Sequence, residues 1–320
     1  SIMTELKFIA VACLLLVSGW ARAQDPCDLD TGASAFSWEQ VMSCYTSVPY
    51  NPDDLDNAVE FIAAARERSD LREVYEAQFG WRAKLATLGT QTFANDFDMQ
   101  MALVQNHKEF FNPHWRYRRP WCYSGLVAAF IPFDFGSTVT RAKKGKQQQI
   151  VFIESASFRP DLYAEFTGID ANQYVGMKVV SINGVDALQF FRDFGRNELR
   201  FDTNDSENFN EAMQNAAYSM RISHTHDMPP DHGSDMYVLE QANGKRITVE
   251  MPWVFAPRAA FGSWQDPLPS STVQFQEMCQ AESWTSWYAN RFQPSPEPST
   301  STSPVGRQAG EQDFVDDLLE

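Results

Sequence analysis

Gly176-Met177-Lys178-Val179-Val180-Ser181-Ile182-Asn183-Gly184-Val185-Asp186-Ala187 is the stretch on which the fold turns. Met177 to Ile182 is rich in β-branched and apolar side chains, so it reads as a strand. Asn183-Gly184 then supplies the two residues that most readily adopt positive φ, which is what a two-residue hairpin turn demands. Asp186 opens a helical pattern that runs to Phe194. Upstream, Gln149-Ile150-Val151-Phe152-Ile153 is a further short apolar run. Downstream, Met236-Tyr237-Val238-Leu239 and Arg246-Ile247-Thr248-Val249-Glu250-Met251 flank Asn243-Gly244 and read as a hairpin. Between them, Asn204 to Asp235 is a long polar segment. Residues 125–255 therefore form a small β-rich domain with one or two helices.

Before this region the periodicity is helical. Asn51-Pro52-Asp53-Asp54 combines a cap, a proline at the first helical position and two acids on the positive end of the helix dipole. Leu55, Val59 and Ile62 follow at i, i+4 and i+7, giving one buried stripe. A second helix starts at Asn95-Asp96, with Phe97, Met101 and Val104 on one face. Pro113 has no place in a helix interior, so that helix ends at or before Asn112. Residues 50–112 thus read as helical, and the chain as α+β.

The first 23 residues have the parts of an export signal: Lys7, an uncharged apolar run from Phe8 to Val17, and Ala21-Arg22-Ala23 ahead of Gln24. That run is shorter than the roughly 20 residues needed to span a hydrocarbon core. The expected localisation is secreted, with no membrane span. Four cysteines remain beyond the signal (Cys27, Cys44, Cys122 and Cys279), and an even number in an exported chain predicts two disulfides. Cys27 with Cys44 is the first choice, because it closes a short local loop. The sequon Asn204-Asp205-Ser206 offers a glycan site.

With 43% hydrophobic residues, 9 Trp and 24 Phe, the body can bury a substantial core. The net charge of −16 argues against a nucleic-acid partner, which requires clustered cations. From Gln293 the sequence becomes Pro-Ser-Pro-Glu-Pro-Ser-Thr-Ser-Thr-Ser-Pro, which buries too little to offset its ordering entropy. Residues 293–320 are read as a disordered acidic tail.

The local feature with most chemistry is Asn112-Pro113-His114-Trp115-Arg116-Tyr117. It places an imidazole on the turn that follows an amphipathic helix, where a general base is held firmly yet reachable. The abundant aromatics around it read as core, and Arg116, Arg118 and Arg119 as a solvated face stacked on rings. A second group, His224, His226, Asp227, Asp231 and His232, gathers imidazoles and carboxylates within nine positions. Such a set could hold zinc or copper, which makes a metal-binding exported protein a third and weaker alternative. Met228-Pro229-Pro230 interrupts it, so it reads as a polar insertion, and neither metal nor cofactor is expected.

Taken together, the run from Asp96-Phe97-Asp98-Met99-Gln100-Met101-Ala102-Leu103 to Asn112-Pro113-His114-Trp115, followed by Gly176 to Ala187, resembles part of a known family. It is the C-terminal processing, or tail-specific, serine peptidases, in the branch related to the chlamydial protease-like activity factor. Members carry a helix, a short histidine-bearing turn, and then a PDZ-like domain with a Gly-x-x-Val/Ile-x-x-Ile-Asn-Gly strand. Asn112 stands where the family has an acid or a similar polar residue, and Trp115 where it has threonine or phenylalanine. The resemblance implies that His114 belongs to the catalytic set. It also implies a PDZ-like domain over 125–255, after an N-terminal helical domain over 24–124, with 256–292 starting a protease-core region. It places the nucleophilic serine beyond the PDZ-like domain. No Gly-x-Ser-x-Gly or Ser-x-x-Lys stands in these 320 residues, and Ser124, Ser137 and Ser263 lie beside glycine only. The expected function is secreted serine-type proteolysis on peptide or unfolded-protein substrates, with the chain as given inactive. The competing expectation is a non-catalytic exported module that binds peptides through the same PDZ-like domain.

Overall fold

The computed structural model describes residues 25–29, 33–108, 117, 119–141, 147–199, 204–213, 218–221, 229–261 and 268–280. The signal segment 1–23 and the tail 293–320 lie outside the described residues. In chain order the elements are β1 (Phe36–Ser37), α1 (Trp38–Tyr45), α2 (Pro52–Glu67), α3 (Arg72–Phe79), α4 (Trp81–Gly89), α5 (Asp96–Lys108) and the short α6 (Trp121–Ser124). Then come β2 (Val127–Phe130), β3 (Asp134–Arg141), β4 (Gln147–Ser155), α7 (Pro160–Thr167), β5 (Lys178–Ile182), β6 (Val185–Asp186), α8 (Ala187–Phe194) and α9 (Asp205–Met213). Last are β7 (Met220–Arg221), β8 (Ser234–Glu240), β9 (Arg246–Pro252), β10 (Val254–Pro257) and α10 (Thr272–Gln280). The chain is α+β.

The local signals produce the elements they predict. Asn51 caps α2, its side chain accepting from Asp53 N at 3.2 Å, with Pro52 in the first turn. The hairpin between β5 and β6 turns at Asn183 (φ 50°) and Gly184 (φ 81°), and Ile182 pairs with Val185 across it. Asp186 then caps α8, accepting from Leu188 N at 3.1 Å and Gln189 N at 3.2 Å. β8 and β9 form an antiparallel hairpin from Ser234↔Pro252 to Glu240↔Arg246.

Two antiparallel sheets result. The larger has the order β3-β4-β5-β8-β9, with β6 paired to β5; the smaller has the order β1-β10-β2-β7. β9 gives way to β10 across the single residue Trp253, so the chain changes sheets there, and its indole is 1% exposed. The smaller sheet brings Phe36 opposite Phe255 and Phe130 opposite Val254, joining strands more than 100 residues apart.

The 204–235 segment is not simply a polar loop. It contains α9, on which Asn208 and Ala212 are buried, and strand β7. Among the described residues between 125 and 255 there are three α-helices, where the sequence indicated one or two, since α7 starts at Pro160 and α9 at Asp205.

Apolar residues gather into two clusters. One runs from Cys27 to Met278 and takes in both sheets. The other (Leu55, Ile62, Trp81, Leu85, Leu88, Met99 and Leu103) belongs to α2, α4 and α5. α5 is their common wall, since Phe97 enters the first while Met99 and Leu103 enter the second. Each such fully buried side chain is worth about 1.5–3 kcal/mol relative to exposure.

Both expected disulfides are present, Cys27–Cys44 and Cys122–Cys279. No helix among the described residues is long and apolar enough to cross a membrane.

Candidate functional site

His114 lies outside the described residues, and the described residues on either side of it are Lys108 and Tyr117. Asn95 caps α5, its Oδ1 accepting from Asp98 N and its Nδ2 donating to Asp98 Oδ2, each at 2.9 Å. Asp96 N donates to Val48 O at 2.9 Å, so the start of the helix is tied to the chain before α2. At its other end Lys108 is almost wholly buried, its side chain 1% exposed, with Nζ 3.6 Å from Glu198 Oε2. Glu198 belongs to the single π-helical turn Gly195–Leu199 that follows α8.

Beyond the turn, Tyr117 donates its hydroxyl proton to Gln100 Oε1 at 2.6 Å, and Gln100 Nε2 donates to Asp96 Oδ1 at 3.4 Å. Arg119 is buried, with Nη1 3.5 Å from Met101 Sδ. Residues 109–116 lie outside the described residues; Lys108 before them is buried, and Tyr117 after them is hydrogen-bonded to Gln100 of α5.

Asp96, Gln100 and Tyr123 are all buried. Burial raises the Asp96 carboxyl above the ordinary carboxylate range, opposed by its contacts with Tyr123 and Gln100. Burial also raises the Tyr117 and Tyr123 phenols, and the negative charge of Asp96 adds to both. Tyr45, Phe97, Tyr123 and Phe275 form an aromatic group with ring centroids 5.2–5.8 Å apart. The Cys122–Cys279 disulfide pins α6 to α10 beside it.

Sequence reasoning pointed to His114 but not to Lys108, Gln100, Tyr117 or Asp96, because nothing in their spacing announces burial. The one local signal was the i, i+4 spacing of Asp96 and Gln100, which puts them on one face of α5.

A second constellation sits where β8 begins, beside the β5–β6 turn. His224 and His226 lie outside the described residues; His232 lies against two carboxylates. Its Nε2 is 2.7 Å from Asp235 Oδ1, and its Nδ1 contacts Asp231 Oδ1. Asp235 is 1% exposed and accepts on the same Oδ1 from Asn183 Nδ2 at 2.6 Å, while Tyr218 donates to Oδ2. These three donors hold the Asp235 carboxyl below its ordinary value despite the opposing effect of burial. Among the described residues no group of three or more His, Cys, Asp or Glu is arranged to hold a metal ion.

No family model and no curated protein matches the sequence. Two solved structures bear a low similarity to the fold. Mature CPAF is 13% identical with a TM-score of 0.41, over 67% of this chain and 38% of that one. Mature CPAF complexed with lactacystin is 14% identical with a TM-score of 0.40, over the same shares. This chain therefore spans 38% of the length of the solved structures it resembles.

Proposed function

We propose that this chain carries the histidine-bearing and PDZ-like portions of a secreted serine-type peptidase of the tail-specific family. The division proposed with it is a helical domain over 24–124, a PDZ-like domain over 125–255 and a protease-core region starting at 256. The observation that carries the reading is the pair of contacts flanking residues 109–116, Lys108 with Glu198 and Tyr117 with Gln100. The family motif has its histidine in the interval between them. Support also comes from Gly176 to Ala187, which forms a strand, a two-residue turn and a capped helix in the order the motif demands. The two disulfides and the lack of a membrane-length helix among the described residues fit an exported protein.

In this reading His114 takes the proton from a serine hydroxyl as it attacks the scissile carbonyl, and returns it to the leaving amine. The substrates are peptides or unfolded proteins. The second reading is a non-catalytic module that binds peptides through the PDZ-like domain. It is favoured by the lack of any activated serine motif in these 320 residues.

Hydrolysis of fluorescein-labelled casein separates the two. We expect no turnover by the 320-residue chain, and turnover by a form continued through the downstream coding sequence. His114→Ala should abolish that turnover, by about 10³-fold or more, without changing the circular dichroism spectrum. Inhibitor-sensitive cleavage by the 320-residue chain would show the nucleophile misplaced, and activity indifferent to His114→Ala would remove the base assignment. Binding of unfolded casein without cleavage by either form would establish the second reading.

A further inference from the structure

The residues 229–235 form a strap across one end of the large sheet. Trp38 Nε1 donates to Pro230 O at 2.7 Å, Trp253 N donates to Gly233 O at 2.8 Å, and Ser234 Oγ donates to Glu250 Oε1 at 2.6 Å. At its centre, His232 and Asn183 converge on one oxygen of the buried Asp235, their nitrogens 3.4 Å apart. Asn183 also accepts from Met236 N at 2.8 Å through its Oδ1, so the β5–β6 turn and the strap share one polar knot.

Both ring nitrogens of His232 face carboxylate oxygens, Nε2 toward Asp235 and Nδ1 toward Asp231. A neutral imidazole has a single N–H, so one of these contacts would set a lone pair against an anion. Only the imidazolium donates to both. It also neutralises Asp235, whose burial makes an uncompensated charge costly.

We propose that His232 is a pH-operated latch: as an imidazolium it bridges Asp231 and Asp235 and fastens the 229–235 strap to the Asn183-Gly184 turn, and loss of its proton loosens the strap. The groups facing it are Asp231 and Asp235 on its own segment and Asn183 on the β5–β6 turn. Tyr218 lies on the far oxygen of Asp235, with Tyr163 and Tyr237 acting on that carboxylate from behind. Glu39 of α1 lies against the strap, its Oε1 3.0 Å from where a Cβ on Gly233 would sit. The hydrogen bond to Asp235, followed by the charges of Asp235 and Asp231, raises the His232 value above that of a free imidazole, against an opposing effect of burial. A raised value stabilises the folded strap at pH below the unfolded histidine's value of about 6.5, and that stability is lost as pH rises through the folded value. At acid pH the latch holds until Asp235 protonates, below its ordinary range. With His232 side-chain exposure at 45%, solvent protons reach it directly. This inference does not depend on the peptidase reading.

The test is amide hydrogen exchange of the intact chain at about pH 6 and about pH 9, normalised to intrinsic exchange and followed in peptides covering 181–186 and 229–237. Because the folded value lies above the unfolded one, protection should be lower at the higher pH than at the lower. His232→Gln should remove that dependence. Asp231→Asn, at an exposed position, should leave the fold intact and lower the midpoint of His232 read from its ring ¹⁵N shifts. Protection that is flat with pH in the native chain, a His232→Gln variant that follows the native profile, or an Asp231→Asn midpoint equal to the native one would each overturn the latch.

Discussion

Asn183 shows how one residue type satisfies two demands. Its backbone sits at φ 50°, where non-glycine residues other than Asn and Asp pay about 1–2 kcal/mol, and its side chain bonds both Asp235 and Met236 N. Asn183→Gly keeps the backbone freedom and loses the two hydrogen bonds. Asn183→Ala loses both. We expect Asn183→Gly to lower unfolding stability by about 2 kcal/mol and Asn183→Ala by about 3 kcal/mol, measured in urea. Equal losses would mean that the side-chain bonds alone matter. The turn itself was legible in the sequence, because Asn-Gly is a local signal. The knot was not, because His232 is 49 residues from Asn183 and Tyr218 contacts Asp235 from 17 residues away. The surroundings of Lys108 were hidden too, since its partner Glu198 lies on a π-helical turn 90 residues later.

Among elements, those with local punctuation could be read and those made by distant pairing could not. α2, α5, α8 and the β8–β9 hairpin each open on a cap or turn written in adjacent residues. The small sheet escapes, because β1, β2, β7 and β10 are two to four residues long and the buried runs of β2 and β10 show no alternation. α9 carried a start signal that was read only as a sequon: Asn204 Oδ1 accepts from Ser206 N at 2.9 Å, with Glu207 at the third position. This helix packs closely on the π-helical turn. A Cβ on Gly195 would lie 2.3 Å from Asn208 O, although the glycine backbone itself is ordinary. Gly195→Ala should therefore push α9 away from α8 at a cost of about 1–3 kcal/mol, as overpacking does. It should also perturb Lys108, whose ion-pair partner Glu198 lies on the same turn. Amide chemical shifts of residues 195–199 and 205–213 will report it, and a spectrum unchanged beyond residue 195 itself would show the contact to be slack.

At the scale of the molecule, the two disulfides constrain very different lengths of chain. Cys27–Cys44 joins positions 17 apart, near the ends of which Asp25 accepts from Thr272 N at 2.8 Å and Thr272 Oγ1 at 2.6 Å. Cys122–Cys279 joins positions 157 apart and fastens α10, with its buried Phe275 and Met278, onto α6. Chain-entropy arguments give about 3 kcal/mol for the short loop and about 5 kcal/mol for the long one. The long bond also holds the aromatic group in which Tyr123 and Phe275 meet at 5.8 Å. Replacing Cys122 and Cys279 together by serine should thus lower the urea midpoint more than replacing Cys27 and Cys44. It should also expose the Tyr45–Phe275 stack, whose rings lie 5.8 Å apart, as a loss of near-ultraviolet circular dichroism. Reductant should erase the difference between the native chain and a variant lacking all four cysteines. If the short-loop variant proves the more damaging, the stability of this protein is concentrated where α1 meets the strand at 36–37, and the long bond merely records a contact that packing already secures.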